Sequence, residues 1–203
     1  MIIESCCASV ESVRRAVQRG AKRIELCRDL KVGGLTPSEP QIKEALSIAG
    51  DIPVNVLVRP REGDFVYSEE EIGLMLESIK LCKRSGVNGV VIGALTPDGR
   101  IDIRTMQRLL EEACPLHVTF HRAFDECDNI SAALEDIIDL GIERLLTSGH
   151  HATAYEGRFT LKSLVEQAAG RIVIMPGCGI TPSNLEEIEK VTGAVEFHGS
   201  RLP

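Results

Sequence analysis

Several short apolar runs in this chain carry polar side chains two residues apart. Ile2–Cys6 holds Glu4 and Cys6, Arg23–Cys27 holds Glu25 and Cys27, and Ala194–His198 holds Glu196 and His198. Residues at i and i+2 of an extended strand share a face, so each pair points the same way. Carboxylate with thiol, or carboxylate with imidazole, is a donor set for metal ligation or proton transfer. Burying such charge is costly unless it is paired or solvated. Other runs end in comparable residues: Arg59 and Arg61; His121, Arg122 and Asp125; Thr147, Ser148 and Gly149; Gly177, Cys178 and Gly179; and Ser200 just after His198. A ring of Glu4, Glu25 and Glu196 beside Arg59 and His121 is therefore expected, either as an active mouth or as a satisfied polar plug.

The elements that must position these residues are legible as a repeat. Eight runs, Ile2–Cys6, Arg23–Cys27, Val54–Val58, Gly89–Ala94, Leu116–Phe120, Arg144–Ser148, Arg171–Met175 and Ala194–His198, are rich in Val, Ile and Leu. Such near-continuous apolar runs suit parallel strands buried on both faces. Amphipathic segments lie between them. Ser9 caps one with Val10, Val13 and Val17 on its apolar face; Ser38 with Gln41 and Ser68 with Glu71 have capping-box spacing. Asp128 is expected to cap the segment of Ile130, Leu134 and Ile137, and Thr181 with Pro182 to open the last helix. Gly20, Gly50, Gly86, Gly141, Gly170 and Gly193 end helices. The reading is one (β/α)8 TIM barrel over residues 1–203, with working residues at the carboxyl ends of the strands. A doubly wound open sheet is the rival, but no glycine-rich dinucleotide turn follows the first strand. No eighth helix is recognisable after the last strand. Its absence is expected to leave apolar surface at the barrel seam, covered by a partner such as a second copy or else weakening the fold.

Composition excludes several classes. The 203 residues carry 23 Lys+Arg against 30 Asp+Glu, a formal net charge of −7, with no basic stripe; nucleic-acid binding lacks its electrostatic footprint. No apolar run approaches the roughly 18–20 residues of a membrane span. The first residues lack the order of a secretory signal. Seven cysteines without a CxxC pair read as thiols of a reducing compartment, which points to the cytoplasm. Cys7, Cys82 and Cys114 are read as packing residues, while Cys127 and Cys178 are expected at the mouth. Aromatic residues are 3% of the chain and Trp is absent, so aliphatic side chains must fill the core.

The longer motifs occur in a recognisable order. They are Ile-Glu-Leu-Cys at 24–27, Gly-Gly-Leu-Thr-Pro-Ser at 33–38, Arg-Pro-Arg at 59–61, Gly-Asp-Phe-Val-Tyr-Ser at 63–68, Thr-Phe-His-Arg-Ala-Phe-Asp at 119–125, Leu-Thr-Ser-Gly at 146–149, Ile-Met-Pro-Gly at 174–177 and Glu-Phe-His at 196–198. From about residue 2 to about residue 200 the chain resembles the CutC family of copper homeostasis proteins. The resemblance implies a TIM barrel, a cytoplasmic protein and a role in handling Cu(I) through two cysteines that match Cys6 and Cys27. The chain departs from the family pattern where Glu62 and Cys178 replace glycine and where strand eight ends in His-Gly-Ser-Arg. Family chains also continue further, with at least one more helix.

Two functional readings follow. In the first, Cys6 and Cys27 end neighbouring strands and converge on a soft Cu(I) ion, which prefers thiolate ligands, with His198 as an auxiliary ligand. In the second, the barrel is an enzyme acting on a small phosphorylated or anionic metabolite. Gly177, Gly179, Gly199 and the helix amino end at Thr181 would cradle the anion. Arg59, Arg61 and Arg122 add positive charge, Glu4, Ser148 and Glu196 line the site, and His121, Glu25 or Asp125 serves as acid or base. No lysine ends a strand, which disfavours a Schiff-base aldolase.

Overall fold

Every one of the expected apolar runs is a strand in the computed structural model, which describes residues 1–201. The strands are β1 (Ile2–Cys7), β2 (Arg23–Leu26), β3 (Val54–Leu57), β4 (Gly89–Ile92), β5 (His117–Phe120), β6 (Arg144–Thr147), β7 (Val173–Pro176) and β8 (Glu196–Gly199). Between them lie α1 (Val10–Gln18), α2 (Glu39–Ala49), α3 (Glu69–Ser85), α4 (Ile103–Ala113), α5 (Ile130–Asp139), α6 (Arg158–Ala168) and α7 (Leu185–Thr192). Leu202 and Pro203 lie outside the described residues.

All pairings are parallel, and each strand from β1 to β7 pairs with its neighbour in sequence, while β8 returns to pair with β1. That order carries β8 round to the side of β7, which a doubly wound sheet with its reversal of strand order does not do. β7 and β8 share no ladder among the described residues, yet they are close: a Cβ placed on Gly177, just past β7, would lie 3.5 Å from the His198 Cβ. The fold is a nearly closed TIM barrel. Met1, Ile2 and Val195 are exposed at the amino end of the β1–β8 pair.

Alternation divides the strand residues into two sets. Ile24, Leu26, Val54, Val56, Val90, Ile92, Phe120, Leu145 and Phe197 face the helices and join one large apolar core with Val13, Ile42, Met75, Leu109 and Leu161. Cys7 belongs to this set, opposite to Cys6. The helices begin where side chains can take up their free N–H groups. Ser9 Oγ accepts from Ser12 N at 3.1 Å, and Ser68 N donates to Glu71 Oε2 at 2.8 Å. Two expected starts move. Asn129, not Asp128, caps α5, its Oδ1 accepting from Ala132 N at 3.1 Å. The Thr181-Pro182 start is replaced by a turn because Asn184 Oδ1 takes the Thr181 N–H at 2.8 Å and Asn184 Nδ2 donates to the Gly179 carbonyl at 3.0 Å. α7 then begins at Leu185. Cys114 is exposed rather than packed, because the chain leaves α4 there. Cys127 is buried against the helix-facing core and absent from the mouth.

The inward set is polar at its base. Arg23 Nε donates to Glu4 Oε2 at 2.5 Å, and Arg23 Nη2 donates to Glu196 Oε2 at 2.6 Å. Arg144 Nε meets the same Glu196 oxygen at 2.6 Å, and Asn55 Nδ2 donates to Glu4 Oε2 at 3.0 Å. Two guanidiniums and two carboxylates thus balance inside the barrel. The Arg144–Glu196 pair reaches from β6 to β8 past the strand that makes no ladder with β8. Burial works against an ionised Glu4, but His198 and Arg23 outweigh it and hold the carboxyl at about 2. A carboxylate held below its ordinary value adds stability above about pH 4.5 and loses it as pH falls toward about 2. Removing one partner of a buried pair typically costs about 3–5 kcal/mol. Glu196→Gln is therefore expected to lower unfolding stability by about 3–5 kcal/mol in urea denaturation at pH 7. The double variant Glu196→Met with Arg144→Met should recover part of that loss, whereas a loss below about 1 kcal/mol for Glu196→Gln would show that the seam closes without this pair.

Candidate functional site

A cavity of about 790 Å³ opens at the carboxyl ends of the strands. Its wall includes Cys6, Glu25, Arg59, His121, Arg122, Asp125, Cys178, Gly179, His198 and Gly199. Glu4, Cys27, Ser148, Gly177 and Glu196 are not on that wall. Glu4 and Glu196 belong to the ionic base described above. Gly177 is spent on packing, since a Cβ there would meet Leu146 Cδ1 at 2.4 Å. Arg61 also stands apart, tied to Glu71, to the Asp64 carboxylate at 2.9 Å and to the Val66 carbonyl at 2.7 Å.

Cys6, Glu25 and His198 on the cavity wall belong to a buried cluster that continues beneath it to Cys27 and Glu4. Cys6 and Cys27 pack with Leu57 and Val91 in a small apolar cluster inside the barrel, separate from the helix-facing core. One ligand atom from each of Cys6, Glu25 and Cys27 lies within 4.8 Å of the others, and the same holds for Glu4, Glu25 and His198. Glu25 belongs to both groups. Gly34 makes the close approach possible: at φ +91°, with a virtual Cβ only 2.7 Å from Leu57 Cδ2 and 3.5 Å from Cys27 Sγ, it lets the loop after β2 lie directly on the thiols. The Cys6 thiol is pushed well above its usual value by its hydrogen bond with the Cys27 thiol, by burial and by the Glu25 charge. Burial also pushes Glu25 up to about 6, against the attraction of His198. His198 Nδ1 lies 2.9 Å from Glu4 Oε1, which places a proton on Nδ1 and turns Nε2 toward Glu25 Oε1 at 4.0 Å. An imidazole oriented by a carboxylate in this way is a common outer-shell arrangement in metal sites. The Glu25 Oε2 atom is buried without a partner.

On the opposite wall are Arg59 and His121. Arg59 is 6% exposed, and its guanidinium donates to the carbonyls of Val32 at 2.8 Å, Gly34 at 3.2 Å and Gly63 at 2.7 Å. It thereby ties the loop after β2 to the loop after β3. His121 Nδ1 accepts the Ala123 N–H at 3.2 Å, so Nε2 carries the ring proton, and that atom has no partner. Burial first, and the Arg59 charge second, push its pKa down to about 3, which keeps the ring neutral. Gly93 leaves room for it, since a Cβ there would lie 2.6 Å from His121 Cε1.

Asp125 is fully engaged. Its carboxylate accepts from the Thr147 hydroxyl, from Ser148 N at 3.0 Å, from Ser148 Oγ at 3.0 Å and from His150 N at 3.1 Å, and it pairs with Arg122 Nε at 2.9 Å. It shapes the loop after β6 instead of standing free for proton transfer. The anion cradle expected after β7 is also partly spent: Gly177 N donates to the Thr147 carbonyl at 3.0 Å and Thr181 N to Asn184. Cys178 holds φ +75°, a region that glycine favours, and its thiol donates to the Ala152 carbonyl at 3.2 Å. Sequence reasoning missed Phe65, His150 and His151, which also line the cavity, because loop geometry alone brings them there. It also missed Arg23, Asn55 and Arg144 as interior residues, although their parity with Glu25, Leu57 and Leu146 was readable.

The family model described as "CutC family" matches residues 1–202. A family protein CutC of Parabacteroides distasonis is 50% identical over 199 residues, covering 98% of this chain and 82% of the relative. A human protein named copper homeostasis protein cutC homolog is also 50% identical, with 98% of this chain and 72% of that protein covered. A CutC crystal structure from Streptococcus agalactiae superposes with a TM-score of 0.95 at 34% identity, over 100% of both chains. With its barrel and its motifs accounted for, the chain belongs to the CutC family of copper homeostasis proteins.

Proposed function

We propose that this chain binds Cu(I) through Cys6 and Cys27 and serves copper homeostasis in the cytoplasm. One observation carries the reading: the two sulfurs and a Glu25 oxygen lie within 4.8 Å of one another, all three residues being buried. Paired thiols suit a soft monovalent ion better than a hard one. The name of the human relative supports the copper link. The free cysteines fit a reducing compartment, where Cu(I) and thiols persist. No helix among the described residues is long and apolar enough to cross a membrane.

Two thiols that bind Cu(I) release two protons and leave one net negative charge on the site. Glu25, already raised to about 6, takes up a proton more readily beside that charge, and His198 Nε2 faces the same carboxylate. The raised Cys6 thiol makes copper binding compete with protons, so affinity climbs with pH.

The second reading, an enzyme or binding protein for a small anionic molecule, has an observation of its own. A cavity of about 790 Å³ is far larger than an ion needs and lies in the range of small-molecule sites. The two uses share the mouth, and Glu25 belongs to both.

An anaerobic Cu(I) titration against a coloured competing chelator should give one tightly bound ion per chain at pH 7, with affinity that rises at pH 8. Cys6→Ser with Cys27→Ser should abolish it. Tight binding that persists in the double variant would defeat the copper assignment. The burial of Glu25 also has a measurable cost. Its folded pKa lies above the ordinary 4.5, so the native state holds the proton more tightly and stability falls as pH rises from about 4.5 through about 6. Glu25→Gln should accordingly raise stability at pH 7.5 by about 1–2 kcal/mol and leave it nearly unchanged at pH 4.5. Destabilisation of this variant at pH 7.5 would mean that Glu25 is held as a satisfied ion.

A further inference from the structure

Six buried side-chain polar atoms lack a partner among the described residues, and three of them, Glu25 Oε2, Arg59 Nε and His121 Nε2, belong to side chains of the one mouth cavity. Leaving a buried donor or acceptor unpaired is costly, and three such groups around one cavity suggest an occupant that pairs with them. Two are donors and one is an acceptor. His121 Nε2–H is a single neutral donor, because Nδ1 already accepts the Ala123 N–H. Arg59 Nε–H is a single donor on a cation that has no carboxylate partner within ion-pair distance, its other nitrogens being given to backbone carbonyls. Both side chains lie against one ring: Phe65 is centred 4.9 Å from the His121 ring, and the Arg59 guanidinium carbon sits 4.8 Å from the Phe65 centroid.

We propose that the cavity binds a small hydroxylated carboxylate, its two carboxylate oxygens taking the Arg59 Nε–H and His121 Nε2–H donors and a hydroxyl donating to Glu25 Oε2. Binding uses neither thiol, although Glu25 stands in both this site and the thiol cluster. Two single N–H donors match the two oxygens of a carboxylate, whereas a phosphate presents more acceptors than this wall supplies. The cradle after β7, where many barrels hold phosphate, has already spent the Gly177 and Thr181 N–H groups internally. Glu25 stands on β2 and His121 follows β5, three steps around the barrel, so about 14 Å of wall at roughly 4.8 Å per strand separates them before the inward side chains shorten the gap. A chain of three to six carbons fits such a span. Both donor atoms are shielded from solvent. The carboxylate then meets its partners in a place without competing water, where charge-assisted hydrogen bonds are strong.

The test is calorimetric titration of copper-free protein with glycerate, malate and gluconate, with propionate and glycerol as partners that lack either the hydroxyl or the carboxylate. At least one hydroxy acid should bind with a Kd of about 1 mM or tighter, and propionate and glycerol about tenfold or more weaker. His121→Phe keeps the ring against Phe65 but removes the donor. It should weaken binding by about tenfold or more, the effect of one lost hydrogen bond to a charged group, while His121→Gln retains a donor and part of the affinity. Thermal melts confirm that each variant is folded. Absence of saturable binding by all three hydroxy acids, equal binding of propionate, or affinity unchanged in folded His121→Phe would each overturn the proposal. None of these outcomes bears on whether Cys6 and Cys27 hold copper.

Discussion

The two carboxylates inside the barrel, Glu4 and Glu196, are the constraint on which the remaining structure depends. Arg23 bridges them, at 2.5 Å to one and 2.6 Å to the other, and Arg144 adds a second contact to Glu196. A barrel interior is ordinarily filled by branched aliphatic side chains in layers. Here its lower part is ionic, and the ions are matched in number and saturated by Asn55 and Thr119. That arrangement ties β1, β2, β6 and β8 together in the region where β7 and β8 form no ladder. Its cost is high sensitivity: a change to any member leaves a largely buried charge without its partner.

His198 connects this satisfied base to the unsatisfied mouth. One face of its ring is held by Glu4, and the other looks toward Glu25. Below His198 every polar group has its partner; above it, Glu25 Oε2, Arg59 Nε and His121 Nε2 do not. The division separates saturated groups from unpaired ones. Groups fixed by saturated neighbours make a rigid platform, and rigidity in the supporting residues keeps a site's ligating atoms in register. The unpaired groups and the raised Glu25 sit on that platform at an energetic loss.

Much of this was legible in the sequence. The strands could be read because their apolar runs are nearly continuous, and the pairs Glu4 with Cys6, Glu25 with Cys27 and Glu196 with His198 could be placed on the inner face by parity alone. The order of their heights was not legible. Parity says that Glu4 and Glu25 both point inward but not that Glu4 is locked by Arg23 while Glu25 is left open. Register decides this, since Arg23 lies beside Glu4 and Glu25 beside Cys6. Asp125 looked free in a strand-end motif, yet the path of the loop after β6 brings Thr147, Ser148 and His150 onto it. Arg61, four residues past the end of β3, is held within its own loop. Such outcomes depend on loop conformation, which a period of two cannot foretell.

The measurement that tests the central claim most directly is copper K-edge X-ray absorption on the protein loaded with one Cu(I) per chain. A platform that presents the Cys6 and Cys27 sulfurs together predicts a first shell containing two sulfur scatterers and no neighbouring copper. A shell made only of nitrogen and oxygen, or a copper–copper distance indicating a cluster shared between chains, would contradict it.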